Sequence, residues 1–216
     1  IGMAEMMFRV LPDWQMAPGE TDISADKCAG AWRNWGLFGF TEDQPGVEYD
    51  VLETRSDKIA FWRLFYDPAF YTAWGDPDYI DRELLTRYVD AWTEGGIDGI
   101  QALYARDAVL TDTLLGVTAD GRREIVAYAQ AFYALSPDAA WTLVHPFAEG
   151  EADFPYEDDY PYPAHGGVFA VEVRSRDRAP CTLQAMVVLT PNGAGQIAEQ
   201  ETFWAADTLA ACNWVE

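Results

Sequence analysis

Three side chains have the chemistry to move a proton on a carbonyl compound: Asp112, Tyr88 and His145. Abstraction of a proton beside a carbonyl needs a base near the carbon and a hydrogen-bond donor at the oxygen. In a strand, Asp112 shares a face with Leu110, and apolar surroundings raise the basicity of a carboxylate. A tyrosine donates a hydrogen bond without carrying charge, and a histidine changes protonation near neutral pH. These residue types favour acid–base chemistry.

Each of the three residues also has a purely structural interpretation. Tyr88 lies in a helical apolar stripe, where an aromatic side chain often serves only as core. Asp112 precedes Thr113 and could be a turn residue. His145 ends a predicted strand and could be a satisfied structural histidine. The sequence leaves both interpretations open for all three.

The elements that position these residues follow from hydrophobic periodicity. Apolar residues recur at helical spacing around Tyr88, and Gly95-Gly96 ends that helix. The predicted helices cover residues 81–92, 97–104 and the segment between Gly121 and Pro137, and the predicted strands cover residues 47–53, 59–66, 108–112, 141–145, 167–174, 182–190 and 196–204. This arrangement predicts an α+β fold with about three helices.

The composition limits the range of partners. The chain has 216 residues, a net charge of −22, and 36 acidic against 14 basic side chains. Such a surface repels nucleic acid and anionic lipid. No apolar run reaches the length of about 18 residues that spans a membrane. The first residues also lack the basic start and apolar core of a signal peptide. We therefore expect no nucleic-acid partner and no membrane partner.

Cysteine and histidine usage argues against disulfide and metal chemistry. The three cysteines, Cys28, Cys181 and Cys212, are odd in number and widely spaced, without a CxxC pair. That pattern is typical of free thiols in a reducing compartment, so we expect a cytoplasmic protein. With only two histidines, a Cys/His metal site is not expected. The sequence has no phosphate-loop motif, and we expect no cofactor.

A partial internal repeat changes the interpretation of the first third of the chain. Residues 58–66, KIAFWRLFY, parallel residues 196–204, QIAEQETFW, and both follow a strand and a tight turn. Upstream, residues 10–14 parallel residues 135–141. Two unrelated hairpins could also look alike. We predict that residues 1–75 are the sheet half of a domain and that residues 76–216 are a complete domain of the same type.

The segment 87–108, RYVDAWTEGGIDGIQALYARDA, resembles the opening of bacterial ketosteroid isomerase, and the likeness continues without a gap to Asp112. Residues 192–195, NGAG, resemble that family's last hairpin turn. The chain is thus similar to SnoaL-like and ketosteroid isomerase-like domains of the nuclear transport factor 2-like superfamily. The resemblance implies a cone-shaped α+β barrel of the cystatin-like kind, with a curved mixed or antiparallel sheet. It also implies that Tyr88 donates to a developing enolate and that Asp112 moves the proton.

The resemblance further implies a pocket for a small hydrophobic ligand. The residues expected to line it are Trp92, Tyr128, Phe132, Phe169, Val187 and Trp204. Val187 stands where the family has a second acid, and valine cannot donate a hydrogen bond. A complete ketosteroid isomerase site is therefore not expected.

The expected function is an isomerase or lyase of the polyketide cyclase type. It would act through Asp112 on a polyketide- or steroid-like, ring-containing molecule. One alternative is a non-catalytic ligand-binding or dimerisation module of the same fold. Another is a dehydratase or hydrolase that uses His145 with Asp112. By the habit of the family, we expect a homodimer.

Overall fold

The computed structural model describes residues 15–23, 27–35, 40–55, 58–74, 78–149, 164–173, 180–205, 208 and 211–212. The chain divides into two units, Ile1–Ile80 and Asp81–Glu216, called here the first and the second unit. Both units contain strands and helices. In the ranges just given, every helix is too short or too polar to cross a lipid bilayer.

The described part of the first unit contains antiparallel strands and a short helix. The strands are β1 (Gln15–Ile23), β2 (Lys27–Trp35), β3 (Gly46–Arg55) and β4 (Lys58–Tyr66), hydrogen-bonded in that order, and helix α1 (Pro68–Trp74) follows them. Asp67 Oδ1 caps α1 by accepting a hydrogen bond from the Ala69 N–H at 2.8 Å. The pairing of β3 with β4 confirms the hairpin predicted over residues 47–66.

The second unit combines a mixed sheet with helices. Its elements are α2 (Arg82–Thr93), α3 (Gly96–Leu103), β5 (Tyr104–Asp112), β6 (Val117–Asp120), α4 (Arg122–Leu135), β7 (Ala140–Glu149), β8 (His165–Val173), β9 (Cys181–Pro191) and β10 (Ile197–Trp204). The strand order is β7-β8-β9-β10-β5-β6, and only the β10–β5 pair is parallel among these described strands. The predicted α+β class with a curved mixed sheet is confirmed, and the sheet is not closed into a barrel.

Capping hydrogen bonds and buried apolar faces stabilise the helices that carry site residues. Asp81 caps α2 through a 2.8 Å hydrogen bond from the Leu84 N–H to its carboxylate. The apolar face of α2, which includes Tyr88 and Trp92, is buried, and the helix packs on β7 and β8. The chain enters α4 through Gly121 at φ 84°, a conformation that residues with a Cβ rarely adopt. Helix α4 then packs on β5 and β6.

A disulfide joins Cys181, at the start of β9, to Cys212 near the C-terminus. Their Cα atoms are 5.8 Å apart, within the usual range for a disulfide. The expectation of free thiols was therefore wrong for this pair, because the fold brings together two cysteines that are 31 residues apart. The cytoplasmic location that was expected from free thiols loses this support. The side chain of Cys28 lies outside the described residues.

Reduction of this disulfide should destabilise the second unit. A cross-link restricts the unfolded chain, and closing a loop of 31 residues corresponds to about 3–4 kcal/mol. We expect dithiothreitol to lower the urea midpoint of the wild-type chain. A Cys181→Ser, Cys212→Ser double variant should have a low midpoint that the reductant does not change. Equal wild-type midpoints with and without reductant would contradict a stabilising role for the bond.

Candidate functional site

Asp112, the last residue of β5, is a fully buried carboxylate with donors on both oxygens. Its Oδ2 accepts hydrogen bonds from Tyr128 Oη at 2.7 Å and from Trp204 Nε1 at 2.8 Å. Its Oδ1 accepts from the backbone N–H of Leu115 at 3.0 Å. These three hydrogen bonds hold the Asp112 carboxyl group in one orientation.

The parallel pairing of β10 with β5 brings Trp204 to Asp112. Thr202 is the register partner of Asp112, and Trp204 lies two residues further along the same face. Tyr128 reaches the carboxylate from α4. Burial, followed by the charge of Asp112, raises the pKa of Tyr128 well above its usual value. The phenol therefore keeps its proton and remains a donor.

A second buried polar network connects Tyr88 to the sheet through Gln200. Gln200 Nε2 donates to Tyr88 Oη at 3.2 Å and to Thr202 Oγ1 at 2.9 Å. Its Oε1 accepts a hydrogen bond from Tyr104 Oη, which accepts one from Trp92 Nε1 at 3.2 Å. Within the described residues, the hydroxyl hydrogen of Tyr88 has no acceptor. Burial raises the pKa of Tyr88 well above its usual value, so this hydrogen stays in place.

Trp141, near the start of β7, is the centre of an aromatic cluster in the second unit. The ring centroids around that of Trp141 are those of Trp92 at 5.4 Å, Tyr88 at 5.7 Å, Trp204 at 5.7 Å, Phe132 at 6.0 Å and Phe169 at 6.1 Å. Such separations suit attractive ring contacts. Trp141 Nε1 is buried and has no hydrogen-bond partner in the described part of the chain. It is therefore a donor that a bound oxygen atom could use.

Most residues predicted for the site come together in this unit. Trp92, Phe132, Phe169 and Trp204 belong to the aromatic cluster, and Tyr128 contacts Asp112. Val187 is buried on β9, where its register partner on β10 is Thr202.

Two of the predicted acid–base residues lie apart from Asp112. Tyr88 belongs to the Gln200 network, and among the described residues no hydrogen bond joins it to Asp112. His145 is exposed on β7, beside a register shift, and its side chain makes no hydrogen bond to Asp112. The structure therefore groups Asp112 with Tyr128 and Trp204 rather than with His145.

Trp141, Gln200 and Tyr104 were not among the residues predicted for the site. Alternation along β10 puts Gln200 on the same face as Thr202 and Trp204, and this pattern could have identified it. Trp141 gave no comparable signal, because its central position depends on α2, α4, β8 and β10 meeting around it.

A groove of 390 Å³ lies away from Asp112. Its lining residues are Gln101, Arg106, Gly121, Arg122, Arg123 and Val126. None of them belongs to the aromatic cluster or to the two buried hydrogen-bond networks. Because Asp112 is fully buried, a ligand can reach it only if neighbouring side chains move.

The sequence matches the model of a known domain family. The model of the SnoaL-like domain family matches residues 85–200, which is more than half of the chain. No curated protein matches the sequence.

Several solved structures resemble part of the chain. A protein with a ketosteroid isomerase-like fold from Catenulispora acidiphila DSM 44928, in complex with trimethylamine, is 17% identical over 62% of this chain and 95% of its own, with a TM-score of 0.48. A protein from Shewanella denitrificans OS-217, named for its likeness to SnoaL-like polyketide cyclases, is 16% identical over 62% of this chain and 97% of its own, with a TM-score of 0.47. These values describe a likeness and carry no statement about activity.

Proposed function

The chain belongs to the SnoaL-like domain family, and we propose that its second unit is an enzyme of the isomerase or cyclase type. It transfers a proton on a small hydrophobic, ring-containing molecule of a polyketide-like or steroid-like kind. The observation that carries the proposal is the fully buried carboxylate of Asp112 beside the aromatic cluster. A positioned carboxylate shielded from water is suited to take a proton from carbon.

In this proposal Asp112 takes a proton from a carbon beside the carbonyl of the ligand. The electron pair of the C–H bond forms an enolate, and negative charge develops on the carbonyl oxygen. The Tyr88 hydroxyl and Trp141 Nε1, whose hydrogens have no acceptor among the described residues, donate to that oxygen. Asp112 then returns the proton to another carbon in an isomerisation, or to the new alkoxide when the enolate carbon attacks a second carbonyl in a cyclisation.

Hydrogen–deuterium exchange tests this proposal without knowledge of the natural substrate. Cyclohexenone, tetralone and a 3-oxo steroid are incubated with the protein in D₂O, and NMR measures exchange beside the carbonyl. We expect exchange that depends on the protein for at least one ring ketone. Exchange at the uncatalysed rate with every member of the panel would contradict an enzyme of this kind.

A non-catalytic ligand-binding or dimerisation module is the second candidate function. It is favoured by Val187, which offers no hydrogen bond at a buried position, and by the close packing around Trp141. Calorimetric binding of a ring ketone without any exchange would support the binding module over the enzyme. Homodimerisation stays a prediction that light scattering of the purified chain can check.

We also infer that the first unit is the sheet half of a second domain of this type. In both units a register shift interrupts the last hairpin, at Ala60 between β3 and β4 and at Ala198 between β9 and β10. The alignment of residues 58–66 with 196–204 pairs these two alanines. A shared bulge position supports a common origin for the hairpins, because bulges are kept within families.

A further inference from the structure

Two acidic side chains of the first unit, Glu48 and Asp50, are buried on one face of β3. Only 4% of Glu48 and 3% of Asp50 is exposed, although acidic residues are rarely buried unless paired. Glu48 lies opposite Trp32 of β2 and Tyr66 of β4, so both aromatic side chains share its face. Asp50 lies opposite Gly30 of β2, which has no side chain, and opposite Leu64 of β4.

The contacts of these carboxylates leave two polar atoms unpaired. Glu48 and Asp50 hydrogen-bond to each other, which requires a proton on one of them. Asn34 Nδ2 donates to Glu48 Oε2 at 3.4 Å, and the indoles of Trp32 and Trp62 lie near the Asp50 carboxylate. Asp50 Oδ1 and Trp62 Nε1 are nevertheless buried without a hydrogen bond of acceptable geometry in the described residues. Buried polar atoms are normally paired, so both atoms are available to a polar group of a ligand.

The charge state of the pair is set by burial. Burial raises the pKa of Glu48 to about 8 and that of Asp50 to about 6, and the charge of Asp50 adds to the effect on Glu48. At neutral pH, Glu48 therefore carries the shared proton and Asp50 carries one negative charge. Burial and both carboxylates raise the pKa of Tyr66, so its phenol is neutral. Arg33 of β2 and Arg63 of β4 lie on the opposite face by strand alternation.

Asp50 has no acidic counterpart at the matching position of the second unit. With Ala60 aligned to Ala198, Asp50 corresponds to Val187. In each unit the register partner on the preceding strand is a glycine, Gly30 for Asp50 and Gly167 for Val187. At matching positions of their sheets, the first unit therefore has a carboxylate and the second unit has an aliphatic side chain.

We propose that Glu48 and Asp50 form a second ligand site, in the first unit, for an aromatic or alicyclic ring that bears a hydroxyl group. The hydroxyl donates to Asp50 Oδ1 and accepts from Trp62 Nε1, so one group satisfies both unpaired atoms. Trp32 and Trp62 are half-buried on the same face of the sheet as Asp50, so their indoles are an aromatic surface beside the carboxylate. Glu48, through its hydrogen bond to Asp50, holds the accepting carboxylate in place. This site does not depend on Asp112.

Calorimetric titration of the full chain with phenol and with toluene tests the proposal. The two molecules share a ring, but toluene can neither donate nor accept a hydrogen bond. We expect phenol to bind at least about tenfold more tightly, because toluene leaves Asp50 Oδ1 and Trp62 Nε1 unpaired. Equal affinities would mean that a water molecule alone fills the gap, and would overturn the proposal.

Variants test whether the preference for phenol over toluene arises at this site. Asp50→Val reproduces the residue at the matching position of the second unit, and should abolish the preference for phenol. Glu42→Gln removes an exposed acid of the same unit and should leave the preference intact. Where Asp50→Val does not fold, Trp62→Phe removes only the indole donor and should reduce the preference. An unchanged preference in either folded variant would overturn the proposal. A negative result in these binding measurements is distinct from a negative result for the proposed enzyme activity, which is measured by proton exchange.

The shared proton also makes stability depend on pH. The pKa of Glu48 is about 8 when folded against 4.5 as its ordinary value, so the folded chain holds this proton more tightly. The resulting stabilisation is complete below about pH 4.5 and is lost as the pH rises through about 8. Glu48→Gln removes the titration, so its free energy of unfolding relative to wild type should rise between pH 5 and pH 8. A difference that stays constant in urea titrations would contradict a proton-sharing pair.

Discussion

Replacing Asp112 by asparagine should lower protein-dependent proton exchange of a ring ketone by about 10²–10⁴-fold. The amide is close in shape to the carboxylate, and its oxygen can still accept from Tyr128 and Trp204. Its NH2 group takes the place of the oxygen that accepts from the Leu115 N–H, so one backbone hydrogen bond is lost. The amide is too weak a base to take a proton from carbon. The variant should therefore fold and lose its rate, which NMR-detected exchange and circular dichroism measure together.

The control for this variant lies on the same strand. Asp107 is exposed on β5, and Asp107→Asn makes the same chemical change outside the buried networks. Exchange by folded Asp112→Asn within twofold of wild type would remove the carboxylate from the mechanism. A large loss in His145→Ala instead would favour the dehydratase or hydrolase alternative, despite the exposed position of His145.

Replacing Trp141 by alanine should lower the free energy of unfolding of the second unit by about 3–5 kcal/mol. The indole is 4% exposed, and rings from α2, α4, β8 and β10 surround it. Its removal leaves a cavity, and the four surrounding elements cannot all move inward to fill it. Urea unfolding followed by circular dichroism measures the change.

Trp141→Phe is the matched control for this second variant. Phenylalanine keeps a ring at the centre of the cluster but removes Nε1, which has no partner among the described residues. The loss of stability should therefore be smaller than for Trp141→Ala, because phenylalanine leaves a smaller cavity. A cost of less than about 1 kcal/mol for Trp141→Ala would show that the cluster does not depend on Trp141.

Local patterns in the sequence predicted the elements well. Helical spacing around Tyr88 and Trp92 corresponds to α2, and alternation in residues 47–66 corresponds to the β3–β4 hairpin. Both signals come from residues that are close together in the sequence. The resemblance from Arg87 to Asp112 then indicated the family, because it covers a helix and the strand that ends in the buried carboxylate.

The contacts that define the site could not be obtained from such patterns. Tyr128 and Trp204 reach Asp112 from α4 and β10, and the second contact joins residues 92 positions apart. Gln200 of β10 hydrogen-bonds to Tyr88 of α2 and to Tyr104 of β5, so this network joins three different elements. The disulfide was missed for the same reason, since spacing alone does not say which cysteines the fold brings together.

The parallel pairing of β5 with β10 has a consequence for protein synthesis. Asp112 and Trp204 are 92 residues apart, so at about 5–20 residues per second the ribosome makes the carboxylate about 5–18 s before its indole partner. Until β10 emerges, one edge of β5 is open to pairing with other chains. The hydrogen bonds that surround Asp112 are therefore completed late in translation. A nascent chain stalled before β10 would expose both the edge of β5 and the Asp112 side chain.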